Sequence, residues 1–310
     1  MFTLCPRLQS LTLSNLAHYI ARKLPRDATP HSLRELHLSG HAPSDIIPLY
    51  LAWRSDALRE TSLSMRGPLP ADFAPLFTGV VALALDIHGY QTSLSGRDAE
   101  GRTLLLNLLN DSPALPTTME RLLLERTPLH GVRTLRISSR ALELFIDPIS
   151  LSCELEHGAN AASLFPELKD VTVFVVRDTP DSDLESDDED VYRAPAHEHS
   201  LSQAWEQLRC LAPFLGACTP TLALAVDVFC PDPVCPPDAE DALALSGVLA
   251  AQGDRLPPVL VRGFTEAATR EVHVDGITFD CNAAVEPVHI WSRKKCPYYR
   301  GDFYNNMVYQ

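Results

Sequence analysis

Apolar residues recur along this chain in a short phrase, leucine-x-x-leucine-x-leucine, rather than in the long stripes of amphipathic helices. The phrase stands at Leu8, Leu11 and Leu13 and again at Leu33, Leu36 and Leu38, a step of 25 residues. A third copy follows after 25 more, with Leu58 and Leu63 in place and Thr61 in the middle slot, and a fourth, Val80, Leu83 and Leu85, after 22. Self-similarity at steps of about 20 to 29 residues marks a leucine-rich repeat, in which each unit gives one strand to a curved parallel sheet. The expected fold is therefore α/β, an irregular leucine-rich-repeat solenoid with the sheet on its concave face and short helices and loops on its convex face.

The connections carry their own pattern. Leu16, Ile20 and Leu24 fall at i, i+4 and i+8 and fit one face of a short helix, with Ser14 or Asn15 as its cap. Ser44 is placed to cap a second helix that buries Ile46, Ile47, Tyr50 and Leu51. The third connection, through Gly67, Pro68, Leu69 and Pro70, has too many prolines for a long helix, so a turn or two of helix or 3₁₀ structure is expected, with Phe73, Leu76 and Phe77 filling the core. After Leu85 the rhythm breaks. Residues 89–102, rich in Gly, Ser and charge, suggest an exposed loop, and residues 103–109 a leucine-rich helix.

The phrase returns at Met119, Leu122 and Leu124 and at Val132, Leu135 and Ile137. These copies are 13 residues apart, so a tight turn through Pro128 and Gly131 must join them. Leu168, Val171 and Val173 open another strand, which ends at Val176. Ser200 caps a helical stretch with Leu201, Trp205, Leu208, Leu211 and Leu215 on one face, ended by Gly216. A strand alternates through Leu222, Leu224, Val226 and Val228. Asp238 caps an alanine- and leucine-rich helix that stops near Gly253, and two further strands are expected at Leu256, Val259 and Val261 and at Thr269, Val272 and Val274.

Charge changes the picture in one region. Of the thirteen residues 178–190, eight are acidic, and Leu184 is the one large apolar residue among them. Such a run repels itself and buries too little surface to order, so residues 178–199 are expected to form a disordered insertion. Ser182 and Ser186, each followed three residues later by Glu185 or Glu189, present phosphorylation sites for an acid-directed kinase. Residues 1–290 then make one solenoid, and residues 291–310 a basic and aromatic tail containing Arg293, Lys294, Lys295 and Arg300. The net charge of −14 argues against nucleic acid as a partner. No apolar run is long enough to span a membrane. Eight cysteines without a C-x-x-C pair, and no signal-peptide pattern at Met1, fit reduced thiols in a cytoplasmic or nuclear protein.

Candidate chemistry is sparse. The chain carries no G-x-S-x-G, H-E-x-x-H, P-loop or G-x-G-x-x-G phrase, so neither catalytic residues nor a cofactor are assigned. His197, Glu198 and His199 lack a spaced second pair of ligands, and Cys230 and Cys235 sit among prolines, so no metal site is assigned either.

Leu-Arg-Glu-Thr-Ser-Leu-Ser from Leu58, Gly-Pro-Leu-Pro from Gly67, Leu76-Phe77 and the strand at Val80 resemble the repeat region of the fungal F-box-like leucine-rich-repeat family, over roughly residues 4–280. The resemblance implies a solenoid that recognises the substrate of a ubiquitin ligase. Binding of the ligase adaptor would need an F-box upstream of this chain, which itself starts inside a repeat. Regular repeats keep Asn or Cys in a slot held here by Leu16, His41, Arg66, Thr127, Arg140 and Val176, so an irregular horseshoe is expected. The expected function is non-catalytic binding of a protein partner on the concave face, through His37, Glu35, Glu60, Arg121, Leu123, Arg136 and Thr172, with Leu123 and Arg136 side by side as anchors. The competing expectation is a hydrolase whose Cys and His are brought together by the fold.

Overall fold

The computed structural model describes residues 5–16, 23–24, 32–66, 74–88, 91–109, 129–143, 165–176, 201–216, 221–229, 236–283 and 285. Among them run the strands β1 (Ser10–Leu16), β2 (Glu35–Gly40), β3 (Glu60–Arg66), β4 (Val80–His88), β5 (Gln91–Asp98), β6 (Thr103–Leu109), β7 (Thr134–Ser138), β8 (Asp170–Val176), β9 (Ala223–Phe229), β10 (Val259–Arg262) and β11 (Ile277–Asp280). They form one eleven-stranded sheet in the order β1-β2-β3-β6-β5-β4-β7-β8-β9-β10-β11. All pairings are parallel except those of β5, which runs antiparallel to both its neighbours.

The phrase sets the register. Its middle positions align in one unbroken row, from Leu11 through Leu36, Thr61, Leu104, Gly96, Leu83, Leu135, Val171, Leu224 and Val259 to Ile277. Because strand side chains alternate, the row two residues on, from Leu13 to Phe279, faces the same way. A single hydrophobic cluster joins these rows to the buried residues of the helices. Leu36, Leu38, Leu63, Leu94, Leu106 and Ile137 are all at most 1% exposed.

Two expectations are overturned between β4 and β7. Residues 89–102 are no exposed loop: they contain β5, in which Thr92 and Leu94 are buried. Residues 103–109 are no helix: they are β6, with Leu104, Leu106 and Leu108 turned into the core. A run such as Thr-Leu-Leu-Leu-Asn-Leu-Leu has no period that separates strand from helix. The hairpin chemistry decides, since Asp98 Oδ1 accepts the backbone N–H groups of Glu100 and Arg102 at 3.0 and 2.9 Å, and Oδ2 accepts Arg102 Nε. Gly101 supplies the positive φ of 79° in the four-residue connection from β5 to β6. Burial pushes the Asp98 carboxyl up, but the side-chain and backbone hydrogen bonds of Arg102 outweigh it and hold the group below the usual carboxylate range. The meander β4-β5-β6 thus runs backwards, so β6 rather than β4 pairs with β3.

Helices back the leucine face. Helix α1 (Pro43–Trp53) begins at Pro43 after Ala42, which makes no side-chain cap, so Ser44 is not the cap the sequence suggested. Proline at the first helical position starts the helix instead, because its fixed φ suits that turn and no N–H is lost. A Cβ on Gly40 would stand 2.8 Å from both Ile46 Cδ1 and Leu16 O, so glycine lets α1 reach the sheet. Leu51, expected to be buried, is 43% exposed. Leu16, expected in a helix, closes β1. The third connection contains a 3₁₀ turn, Ala74–Phe77, whose Leu76 and Phe77 are buried as expected.

In the carboxyl-terminal half, α2 (Ser139–Glu143), α3 (Leu201–Leu208), α4 (Leu211–Leu215) and α5 (Ala239–Ala250) follow. The expected stripe Leu201, Trp205, Leu208, Leu211 and Leu215 is buried, although the stretch divides into α3 and α4. Gln252 clasps that junction: its Oε1 accepts Ala212 N–H at 2.8 Å and its Nε2 donates to Leu208 O at 3.0 Å and Val248 O at 3.2 Å. Asp238 and Asp241 form a reciprocal cap at the start of α5. The expected strand at Thr269, Val272 and Val274 is not formed. Thr265 caps a helical turn, α6 (Glu266–Thr269), and β11 begins only after Gly276, whose φ is 79°.

Candidate functional site

Positions between the inward rows face the other side of the sheet. Every described helix sends buried apolar residues into the cluster on the leucine face, and none is described on this second face. Its central row runs from Thr12 through His37, Ser62, Leu105, Ser95, Ala84, Arg136, Thr172, Ala225 and Leu260 to Thr278. A neighbouring row aligns Ser39, Ser64, Asn107, Ser93 and Asp86 over the first half, and Ser138, Phe174, Asp227, Arg262 and Asp280 over the second.

The two halves differ in chemistry. The amino-terminal half carries mainly hydroxyls and amides, interrupted by His37, Leu105 and Asp86. Asn107 is 1% exposed and accepts the hydroxyl of Ser93 at 2.8 Å. His37 lies in register between Thr12 and Ser62, and its buried Nδ1 has no hydrogen-bond partner among the described residues. Glu35 and Glu60 are directly in register, two half-buried carboxylates side by side.

The carboxyl-terminal half is organised by one carboxylate. Asp227 is 3% exposed and accepts Arg262 Nε at 2.6 Å and Arg136 Nη2 at 3.5 Å. Arg262 is its neighbour in register on β10, whereas Arg136 comes from β7, two strands away. Between them the row holds Thr172 and Ala225, small enough for the Arg136 side chain to lie across β8. The two arginine side chains remain 21% and 28% exposed. A buried carboxylate thus fixes two forked donors beside the buried Phe174, its neighbour in register on β8.

The expected contact residues are only partly brought together. Glu35, His37, Glu60, Arg136 and Thr172 all lie on this face. The pairing of Leu123 with Arg136 is corrected: β7 is bonded to β4 on one side and β8 on the other, so Arg136 stands between Ala84 and Thr172. Arg121 and Leu123 themselves lie outside the described residues, as do Ser182, Ser186, the His197 to His199 triplet, Cys230, Cys235 and the tail from 291. Ala84 is likewise not next to Ser62, because Leu105 and Ser95 intervene. Sequence reasoning missed Asp227 and Arg262. The available signal was alternation, since both follow an inward valine and must face outward. Among the described residues no group of three or more His, Cys, Asp or Glu is placed to hold a metal. No helix among them is long and apolar enough to cross a membrane. Compared with protein-family models, with curated proteins and with solved structures, the chain finds no match in any of the three.

Proposed function

We propose that this chain is a non-catalytic protein-binding module, an irregular leucine-rich-repeat solenoid that holds a protein partner on the sheet face that carries no described helix. The observation that carries the proposal is the unbroken register of that face across eleven strands, which lays polar side chains out in parallel rows. Rows of this kind suit an extended partner surface better than a small substrate, because they form a floor and not a closed cleft. Arg136 and Arg262, fixed by Asp227, would serve as polar anchors, and the short hydroxyl side chains of the other half would admit the partner's backbone. The resemblance to F-box-like proteins supports the narrower reading, recognition of the substrate of a ubiquitin ligase in the cytoplasm or nucleus.

Affinity capture from cells of the source organism tests the proposal. A variant carrying His37→Arg and Thr172→Arg fills the floor at two half-buried positions without touching the core. It should recover a discrete partner of the wild-type chain at least about tenfold less well. Equal recovery by both would refute the assignment of this face, provided that Arg255→Glu, on the helix side, also recovers the partner normally.

A further inference from the structure

One aspartate of the chain is set apart by the residue that follows it and by its freedom. Asp275–Gly276 is the single Asp-Gly pair in the sequence, and no Asn-Gly pair occurs. Glycine has no side chain to screen its backbone nitrogen, so an aspartate before it can close a five-membered ring onto its own chain. Three other aspartates are held away from that reaction by turn hydrogen bonds. Asp98 accepts the N–H groups of Glu100 and Arg102, Asp238 those of Glu240 and Asp241, and Asp280 those of Asn282 and Ala283.

Asp275 has no such hold. It is the second residue of the turn Val274–Ile277, which is closed by the Ile277 N–H bond to Val274 O at 3.1 Å. Gly276 follows with a φ of 79°, the left-handed conformation that the third residue of a type II turn requires. Both residues are exposed. Among the described residues nothing donates to the Asp275 carboxyl and nothing accepts the Gly276 N–H. A Cβ built on Gly276 would meet no atom within 4 Å, so no neighbour crowds the turn.

We propose that Asp275 is a site of spontaneous modification, isomerising to isoaspartate through a succinimide formed with Gly276. The Gly276 nitrogen attacks Cγ of the Asp275 carboxyl in its acid form, the Cγ–O bond breaks, and the hydroxyl leaves with the amide proton as water. Water then adds back to the ring. Addition at Cγ restores aspartate, whereas addition at the main-chain carbonyl breaks its bond to the Gly276 nitrogen and leaves the chain running through Cγ. No atom is gained or lost, and no co-reactant is needed. The backbone between the two residues is then one methylene longer.

That extra methylene falls where β11 is attached. Gly276 O accepts the Val259 N–H at 2.8 Å, next to the register that runs from Val259 with Ile277 to Arg262 with Asp280. Among the described strands β11 is bonded to β10 alone. The edge-to-face contact of Phe279 with Phe264, centroids 5.5 Å apart, depends on the same register. Isomerisation therefore loosens β11 from β10, beside Arg262.

Ageing the full chain at neutral pH, then labelling it with a methyltransferase specific for isoaspartate and fragmenting the labelled peptide, tests the site. Label should accumulate at residue 275 with time, while the mass of the unlabelled chain stays the same. Asp275→Glu should abolish it, because the longer side chain would need a six-membered ring, and Asp275→Asn should raise it, because the amide closes the same ring faster with loss of ammonia. In the aged fraction the Val259 amide should exchange about fivefold faster, as one lost hydrogen bond implies, and the Val171 amide should not change. Absence of label at residue 275 in the folded chain, when chain aged in urea acquires it, would show that the turn blocks the ring and would overturn the site. Label at residue 275 with an unchanged Val259 amide would overturn the loosening of β11.

Discussion

Replacing Arg262 by Met tests whether the Asp227 cluster is a desolvated unit or an ordinary surface ion pair. The Asp227 carboxylate is 3% exposed, and its short contact is the 2.6 Å bond from Arg262 Nε. Arg136 reaches it only at 3.5 Å. Removing Arg262 therefore strands a buried anion with one long contact, and loss of one partner of a buried pair costs about 3–5 kcal/mol. The reverse change, Asp227→Asn, should cost less, about 1–3 kcal/mol, because both arginines are partly exposed and can turn to water. Arg136→Met should fall between the two. The double variant Arg262→Met with Asp227→Asn should recover part of the loss, since neither charge is then left alone. Urea denaturation followed by circular dichroism measures all four. A loss of about 1 kcal/mol or less for Arg262→Met, the value of an exposed pair, would refute the reasoning.

Other expectations follow from the same packing. Leu36→Ala, Leu106→Ala and Leu135→Ala each empty a site at most 1% exposed and should cost about 2–5 kcal/mol in the same assay; an unchanged Leu106 variant would contradict the placement of β6 in the core. Gln252→Ala removes the acceptor of Ala212 N–H and the donor to Leu208 O, so it should destabilise by about 1–3 kcal/mol and raise hydrogen exchange at Ala212 before elsewhere. Asp98 has a folded pKa below its unfolded value, so its contribution is full above about pH 4 and is lost as pH falls through the folded value. Asp98→Asn should accordingly lower stability at neutral pH and flatten its decline in acid, and parallel acid limbs in mutant and parent would count against the Arg102 contact.

Much of the fold was legible because it is encoded at short range. The phrase places Leu36, Leu135 and Val171 on one face wherever the strand lies, and Asp238 with Asp241 marks the start of a helix by its own chemistry. The middle of the sheet was not legible. β5 turns Thr92, Leu94 and Gly96 inward, so its buried positions do not look apolar, and β6 is apolar almost throughout. Which strand pairs with β3 is a long-range choice, decided by packing Leu104, Leu106 and Leu108 beside Thr61, Leu63 and Met65. The site was legible in its rows and not in its neighbours. His37 and Arg136 fall outward by alternation alone, but the burial of Asp227 depends on Arg262 and Arg136 arriving from two other strands.

Site-specific photo-crosslinking tests whether the partner binds the sheet face that carries no described helix. A photoreactive residue placed at Ser62 or Thr172 samples the two halves of that face, and one at Leu243, which is 55% exposed on α5, samples the helix side. A discrete adduct with the same partner is expected from Ser62 and Thr172, and none from Leu243. An adduct formed from Leu243, with none from Ser62 or Thr172, would place the partner on the helices and contradict it.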